Sequence, residues 1–281
     1  MVAHRSPRAG RIASRLFLIA AIVVLAFPVV GFFYWLVLIS LRTDLANNVY
    51  PPQLLPETFG SLTLDHYRRV IQENQLLRDG YNSLVIAVAS TVLGLLLGVP
   101  AAYSIARWKL QGLALAILIA RIIPAVSFLI PWYVIFSRLK LIDTYTALTV
   151  THLVVSLPMV TWILIGFFED VPIDLEEAAR LDGSSVFGAF FWIVLPLVRP
   201  GIIAASIISL IFSWNNFIFS IVLAGDRTST LPLAAYKLLN FATFSWGTLT
   251  ATAVLITLPI VVMSVFVQRY LVTGLTAGGV K

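Results

Sequence analysis

The stretch DLEEAARLDGSSVFGAFFWIVLPLVRPG, Asp174–Gly201, interrupts a chain that is otherwise strongly apolar. Acids, glycines and prolines crowd into its few residues, whereas long hydrophobic runs lie on both sides of it. This pattern favours a water-facing, capped element placed between two membrane-embedded segments. The hydrophobic runs on either side of this stretch therefore determine the fold, and the partner that the stretch contacts determines the function.

The composition of the chain predicts an all-α polytopic membrane protein. Of the 281 residues, 59% are hydrophobic and 11% are charged, whereas a soluble domain carries about 25% charged residues. The net charge of +6 fits membrane topology and contact with membrane lipid headgroups, and no basic, aromatic-interleaved stripe indicates nucleic acid. Cysteine is absent and the three histidines are far apart, so we predict neither a metal site nor a catalytic residue.

Six apolar runs are long enough to cross a bilayer core of ~30 Å, which requires about 20 helical residues. They are Leu16–Leu41, Ser83–Ala106, Leu113–Phe136, Tyr145–Phe168, Ile202–Ala224 and Thr248–Val267. The first run is too long for a cleaved signal peptide, so it is interpreted as a span. The predicted organisation is a tail at 1–15, a first span at 16–41, an extracytoplasmic loop at 42–82, a five-span core at 83–268 containing the loop 169–200, and a tail at 269–281.

The orientation rests on the basic residues that flank the first span. Four arginines and no acid precede it, and positively charged flanks stay in the cytoplasm. Six spans then place both termini in the cytoplasm, and Arg107 and Lys109 after the second span agree with this. In the outer loop, the pattern after Thr63 predicts a short amphipathic helix capped by that residue. The basic residues before the first span are Arg5, Arg8, Arg11 and Arg15.

The quoted stretch has the local signals of two short helices joined by a turn. Asp174 is predicted to cap the first helix, with Glu177 three residues later in a capping box. Gly183 is predicted to end that helix because glycine adopts positive φ without steric cost. Ser184 or Ser185 then caps a second helix that ends near Pro196. The pattern favours a cytoplasmic elbow that docks on a partner, although an ordinary connecting loop would also explain the charges.

The same residues resemble the EAA signature of bacterial ABC importer permeases. Glu177-Ala178-Ala179 is followed after three residues by Gly183, and after nine more by Ile193, Leu195 and Pro196. The resemblance implies a type I importer permease of the MetI-like fold, in which this segment is the coupling helix that sits in a socket on a separate ATPase. The residues it implies for ATPase coupling are Glu176, Glu177, Ala178, Ala179, Asp182, Gly183 and Pro196.

The end of the chain extends the resemblance to carbohydrate-importer permeases of the six-span maltose-system type. Tyr270–Lys281, YLVTGLTAGGVK, is similar to their tail, although Gly279 stands where alanine is expected. That tail contacts the ATPase dimer in the family, so the implied contact residues here are Gly274, Leu275, Thr276 and Gly278. A frayed terminus is the alternative interpretation of this segment.

The chain shows no G-x-x-x-x-G-K-[ST] phosphate loop, so we expect it to be a non-catalytic subunit without a cofactor of its own. The resemblance implies that two partner ATP-binding cassette subunits bind ATP and Mg²⁺. It also implies a second homologous permease subunit and an extracytoplasmic solute-binding protein, all at the bacterial cytoplasmic membrane. The expected function is import of a carbohydrate-like solute such as a sugar, a disaccharide or a polyol.

Polar residues inside the apolar runs are candidates for the solute path. Arg121 lies inside the third run, where an arginine is costly unless it faces a cavity or a partner. Trp214, Asn215 and Asn216 lie in the fifth run and suit sugar hydroxyls by stacking and hydrogen bonding. A structural ion pair for Arg121, or interhelical hydrogen bonding for the amides, is the alternative in each case.

A self-sufficient secondary transporter or channel is the alternative from a different class. Such a carrier uses membrane-embedded acids as ion relays. None of the 13 acidic residues falls within the six predicted spans, which argues against proton coupling. A membrane enzyme is a third option, but no nucleophile–base pair or metal cluster supports it.

Overall fold

The computed structural model describes residues 7–52, 55, 62–72, 75–239 and 244–277, with side chains described between residues 14 and 268. In these ranges there is no strand, only an isolated bridge between Arg42 and Leu62. A 3₁₀ turn covers Ala125–Phe128 and a π-helical turn covers Phe190–Val194. The α-helices are α1 (Pro7–Leu41), α2 (Asp44–Asn47), α3 (Asp65–Gln72), α4 (Leu76–Arg107), α5 (Gln111–Ile122), α6 (Leu129–Arg138), α7 (Tyr145–Glu169), α8 (Ile173–Leu181), α9 (Val186–Ala189), α10 (Leu195–Leu197), α11 (Arg199–Trp214), α12 (Ser220–Leu223), α13 (Leu231–Lys237) and α14 (Trp246–Ala277).

Four of the described helices are long and apolar enough to cross a membrane by themselves. Two bent pairs raise the number to six when each pair is counted as one span. The first pair joins α5 to Ala125–Arg138 at 85°, and the second joins Val186–Leu197 to α11 at 71°. The prediction of an all-α, multi-span membrane fold is therefore confirmed.

The third predicted span is not one straight helix. Pro124 explains the break, because proline disfavours helical conformation in the residue before it, and Ile123 is extended with φ −68° and ψ 120°. The fifth span is also shorter than predicted. It begins at Arg199 and ends at Trp214, where the Asn215 amide caps the helix by donating to the Ile211 carbonyl over 2.9 Å.

The second spanning helix begins earlier than predicted, at Leu76 instead of Ser83. Asp79 therefore lies in the first turn of this 32-residue helix, where it is buried. Asn82 makes this extension stable, because its amide donates to the carbonyls of Arg227 and Ser229 over 3.1 and 2.8 Å. Helical structure also extends beyond the apolar spans at both ends, since α1 begins at Pro7 and α14 continues to Ala277, and the limits of the two tails stay a prediction.

The chain divides into two compact units, of which the first comprises Met1–Glu73 and Leu238–Leu255. Its polar centre is His66, which is buried and donates from Nε2 to the Arg42 carbonyl over 2.8 Å. The ring lies directly on Gly247, where a Cβ atom would come within 2.1 Å of Nε2. Thr63 Oγ1 accepts a hydrogen bond from the Asp65 amide over 3.1 Å at the start of α3, one position before the capping position predicted for it, which Leu64 occupies.

The second unit comprises Asn74–Lys237 and Ile256–Lys281. Its centre is the packing of α4 against α7 and α11. Small residues permit the close approach, since a Cβ atom at Gly201 would come within 2.3 Å of the Phe167 ring. Hydrogen bonds join the three helices, with Ser213 Oγ lying 3.0 Å from Ser90 Oγ and 2.7 Å from His152 Nδ1.

Candidate functional site

The predicted elbow is present, and its turn forms around Gly183. This glycine has φ +94°, a conformation that side-chain-bearing residues rarely adopt. The Ser184 amide donates to the Ala179 carbonyl over 2.9 Å, and the Gly183 amide donates to the Arg180 carbonyl over 3.1 Å. These two bonds are the Schellman pattern that ends an α-helix. The prediction that Gly183 stops the first helix is confirmed.

The capping residue was predicted correctly for the second helix of the elbow but not for the first. Ser185 caps the second helix, since its Oγ accepts from the Gly188 amide over 3.0 Å. The prediction of Asp174 as the first cap is wrong. Pro172, with φ −57°, occupies the capping position, so α8 begins at Ile173 and Asp174 lies in its first turn. The second helix runs through the π turn and reaches Leu197, close to its predicted end at Pro196.

One face of the elbow is open to solvent. Leu181 is 89% exposed at the end of α8, and Ala178 and Glu177 are exposed on the same helix. A groove of about 640 Å³ follows the turn. Exposed apolar groups beside a polar rim are typical of a protein-docking surface. The groove is lined by Glu177, Arg180, Leu181, Ser184, Ser185 and Val186.

The two adjacent glutamates of α8 have different surroundings. Glu177, which aligns with the signature, is exposed, whereas Glu176 is buried against the C-terminal end of α4. Glu176 pairs with Arg107 and accepts a hydrogen bond from the Tyr103 hydroxyl over 2.8 Å. Arg107 was expected only as a cytoplasmic charge. Arg107 follows Tyr103 by four residues, which places both on one face of α4, and this spacing was the sequence signal that could have predicted a shared partner.

The two bent spans meet at a cavity of about 330 Å³ within the second unit. Arg121 lies at its edge and is exposed at the end of α5. Among the residues that line it, Arg121 is the charged one, and the others are apolar. Lining residues come from the first bend, from α7 around Pro158 and from both sides of the break after α11. They include Pro124, Phe128, Pro158, Met159, Phe212 and Phe219.

The other candidates for the solute path lie where α11 ends, and they differ in exposure and in the hydrogen bonds that their side chains already make. Trp214 is buried, and its indole N–H donates to the Ile256 carbonyl over 3.2 Å, which commits that donor to helix packing. Asn215 is exposed as the cap of α11. The Asn216 side-chain oxygen accepts from the Phe219 amide over 3.4 Å.

The predicted ATPase contacts at the end of the chain lie where the structure describes the backbone only in part and no side chains. Gly274, Leu275 and Thr276 belong to α14, but their side chains lie outside the described part, and Gly278 lies outside the described residues. Among the described residues, no group of three or more His, Cys, Asp or Glu side chains could hold a metal ion. The predicted lack of a cofactor stays a prediction.

Comparison with known proteins identifies the class of this fold and elbow. Residues 92–276 match the binding-protein-dependent transport system inner membrane component family. The probable ABC transporter permease protein y4oR of Sinorhizobium fredii is 35% identical over 263 residues, which cover 92% of each chain. The sulfoquinovosyl glycerol transport system permease protein SmoH of Agrobacterium fabrum is 34% identical and covers 88% of this chain, with 87% of its own length matched.

A third relative and a solved structure agree. The trehalose transport system permease protein SugB of Mycobacterium tuberculosis is 32% identical, with 88% of this chain and 90% of its own covered. A chain of a bacterial ABC transporter involved in alginate import has the same fold, with a TM-score of 0.74 at 20% identity, covering 96% of this chain and 99% of that one. The chain belongs to the inner-membrane component family of binding-protein-dependent transport systems. It is a membrane-embedded, non-catalytic permease subunit of an ABC importer, and nothing supports the self-sufficient carrier.

Proposed function

We propose that this permease subunit imports a carbohydrate-like solute, namely a sugar, a disaccharide or a polyol. The main observation behind the proposal is the elbow at Gly183. Its Schellman turn holds in a fixed position the exposed surface on which an ATPase would dock to drive import. Support for a carbohydrate comes from relatives whose names specify transport of sulfoquinovosyl glycerol and of trehalose. Amide and arginine side chains near the cavity have the donors that sugar hydroxyls require.

The working assembly contains this chain, a second homologous permease subunit, two ATP-binding cassette subunits that bind ATP and Mg²⁺, and an extracytoplasmic binding protein. A related solved structure shows an alginate ABC transporter in complex with a solute-bound periplasmic protein. In the proposed assembly, Glu177, Ala178, Ala179, Asp182 and Gly183 meet the ATPase. Glu176 fixes α8 to α4 through its contacts with Arg107 and Tyr103, and Pro196 lies in the last turn of the elbow's second helix.

The tail is proposed as a second ATPase contact through Gly274, Leu275, Thr276 and Gly278. The solute path is proposed at the cavity between the bent spans, with Arg121 as its polar group and with Asn215 and Asn216 at the adjoining break. Trp214 contributes by packing, because its indole donor is already bonded. The assembly lies in the bacterial cytoplasmic membrane with both termini in the cytoplasm.

The decisive experiment is purification of the chain from its native membranes in mild detergent, followed by reconstitution. We expect an ATPase and a second permease to co-purify, and the reconstituted set with its binding protein to import a sugar or polyol on ATP. Arg121→Gln is expected to lower import while the same subunits still co-purify. A chain that purifies alone and moves solute without ATP would contradict the proposal.

A further inference from the structure

The C-terminal end of α4 carries an arginine that holds three separate groups together. The Arg107 guanidinium pairs through Nε with Glu176 Oε1 of α8. Its Nη1 atom donates to the carbonyls of Phe168 and Val171, at 3.0 and 3.2 Å, where α7 ends. One side chain therefore connects α4, the end of α7 and the coupling helix.

A tyrosine one turn earlier on α4 completes this connection. The Tyr103 hydroxyl donates to Glu176 Oε2 over 2.8 Å, so both carboxylate oxygens have partners. The Tyr103 ring lies edge-on to Phe168 at 5.6 Å and tilted against Phe190 at 4.7 Å, which adds the π-helical turn to the same cluster. The cluster of Tyr103, Arg107, Phe168, Glu176 and Phe190 is called the α4 clamp below.

The charges of α8 divide sharply between its two faces. Asp174, Glu177 and Arg180 are exposed, whereas the Glu176 side chain is only 10% exposed. A carboxylate at this depth is stable only when it is paired and hydrogen-bonded. The clamp therefore strongly disfavours separation of α8 from α4, although only the short segment after Glu169 connects α8 to α7 along the chain.

We propose that Arg107 and Glu176 are positioning residues for energy coupling. They make α8, the C-terminal end of α4 and the end of α7 one mechanical body, so that displacement of the elbow by the ATPase moves α7. Because α7 lines the cavity around Pro158, this movement reaches the proposed solute path. The inference rests on the proposed function and adds the contact that transmits the movement.

The first test uses Glu176→Gln and Arg107→Gln in the complete assembly, with its ATPase, partner permease and binding protein in proteoliposomes. We expect each variant to co-purify with the wild-type amount of ATPase and to hydrolyse ATP. The solute imported per ATP hydrolysed should fall at least tenfold. Asp170→Asn is the matched control, because it removes an exposed carboxylate at the end of α7 and should keep the wild-type ratio. A ratio within twofold of wild type in both glutamine variants would overturn the proposal.

A second test restores the contact chemically and does not depend on how the glutamine variants fold. The chain contains no cysteine, so Arg107→Cys with Glu176→Cys provides two unique thiols in this subunit. A short, reducible thiol cross-linker is expected to raise the import-to-ATP ratio at least fivefold, and reduction should lower it again. The parent chain treated with the same reagent is the control. An unchanged ratio after verified cross-linking would contradict mechanical transmission. Failure of the wild-type assembly to import on ATP would refute the proposed function itself.

Discussion

At the scale of single residues, Asp143 shows how one carboxylate can join two loops of the second unit. It lies before α7 with φ +58° and accepts four hydrogen bonds. The donors are the amides of Gly225, Arg227 and Thr228 and the Thr228 hydroxyl, at 2.7 to 3.2 Å. Gly225 permits this approach, because a Cβ atom there would come within 2.6 Å of Asp143 Cγ.

The ionisation of Asp143 follows from these bonds. Partial burial acts to raise its pKa, but the hydrogen bonds from Thr228, Arg227 and Gly225 outweigh burial and hold the pKa below its ordinary value. A carboxylate with a depressed folded-state pKa stabilises the protein above its unfolded-state pKa, near 3.9. That stabilisation is lost as the pH falls through the folded-state value.

We therefore predict that Asp143→Asn lowers the free energy of unfolding at pH 7 by about 1 kcal/mol, since asparagine tolerates the backbone but replaces one acceptor oxygen with a donor. Thermal unfolding in detergent measures the effect. The gap between wild type and variant should narrow as the pH falls below about 4. Asp226→Asn, at an exposed neighbour, is the control and should leave the melting temperature unchanged. A gap that is constant with pH would show that the charge is not responsible.

Residue-level prediction from sequence succeeded where the signal was local. Gly183 and Ser185 were found because a turn and a cap depend on a few adjacent residues. Arg107 and Glu176 were not paired, because they are 69 residues apart and their contact depends on how α4 packs against α7. Asp174 was misassigned because α8 begins two residues earlier than predicted, directly after Pro172, whose ring fixes φ at −57° before the first turn.

At the scale of elements, hydropathy located the apolar runs but not the direction of the chain inside them. The third run is apolar throughout, yet it turns by 85° because Pro124 restricts the residue before it. The helix of the fifth run ends at Trp214, where the Asn215 side-chain amide donates to the Ile211 carbonyl. The cavity at which these two breaks meet could not be predicted, since it depends on their arrangement in space.

The elbow gives an element-scale prediction. Gly183→Asp should leave the subunit in the membrane but abolish solute-stimulated ATP hydrolysis in the reconstituted assembly. The reason is that a side chain at φ +94° strains the Schellman turn and shifts the docking surface of α8. Gly112→Asp is the matched control, because Gly112 is an exposed helical glycine with open space around it. Normal stimulation in the Gly183 variant would exclude the elbow as the coupling element.

At the scale of the whole molecule, the charges at the ends of the spans predict which way the chain crosses the membrane. The arginines before the first span predict cytoplasmic termini. This orientation places α3 outside and the elbow inside, on the same side as the proposed ATPase.

Single-cysteine labelling tests this orientation directly, since the chain has no cysteine of its own. Leu64→Cys, at a position that is 69% exposed before α3, should react with a membrane-impermeant maleimide in intact cells. Ser184→Cys, at the exposed turn of the elbow, should react only after the membrane is opened. The cysteine-free parent is the control for background labelling. The reverse pattern would place both termini outside and remove the elbow from any cytoplasmic ATPase.

The π-helical turn Phe190–Val194 makes one position of the chain tolerant of a single-residue deletion. A π turn bonds each amide to the carbonyl five residues back instead of four, so it accommodates one residue that an α-helix does not need. Deleting one residue there would let the segment close as an ordinary α-helix. The same deletion within α11 would rotate every following side chain by about 100°. The second helix of the elbow is therefore a place where the chain can lose a residue while the side chains that follow keep their direction.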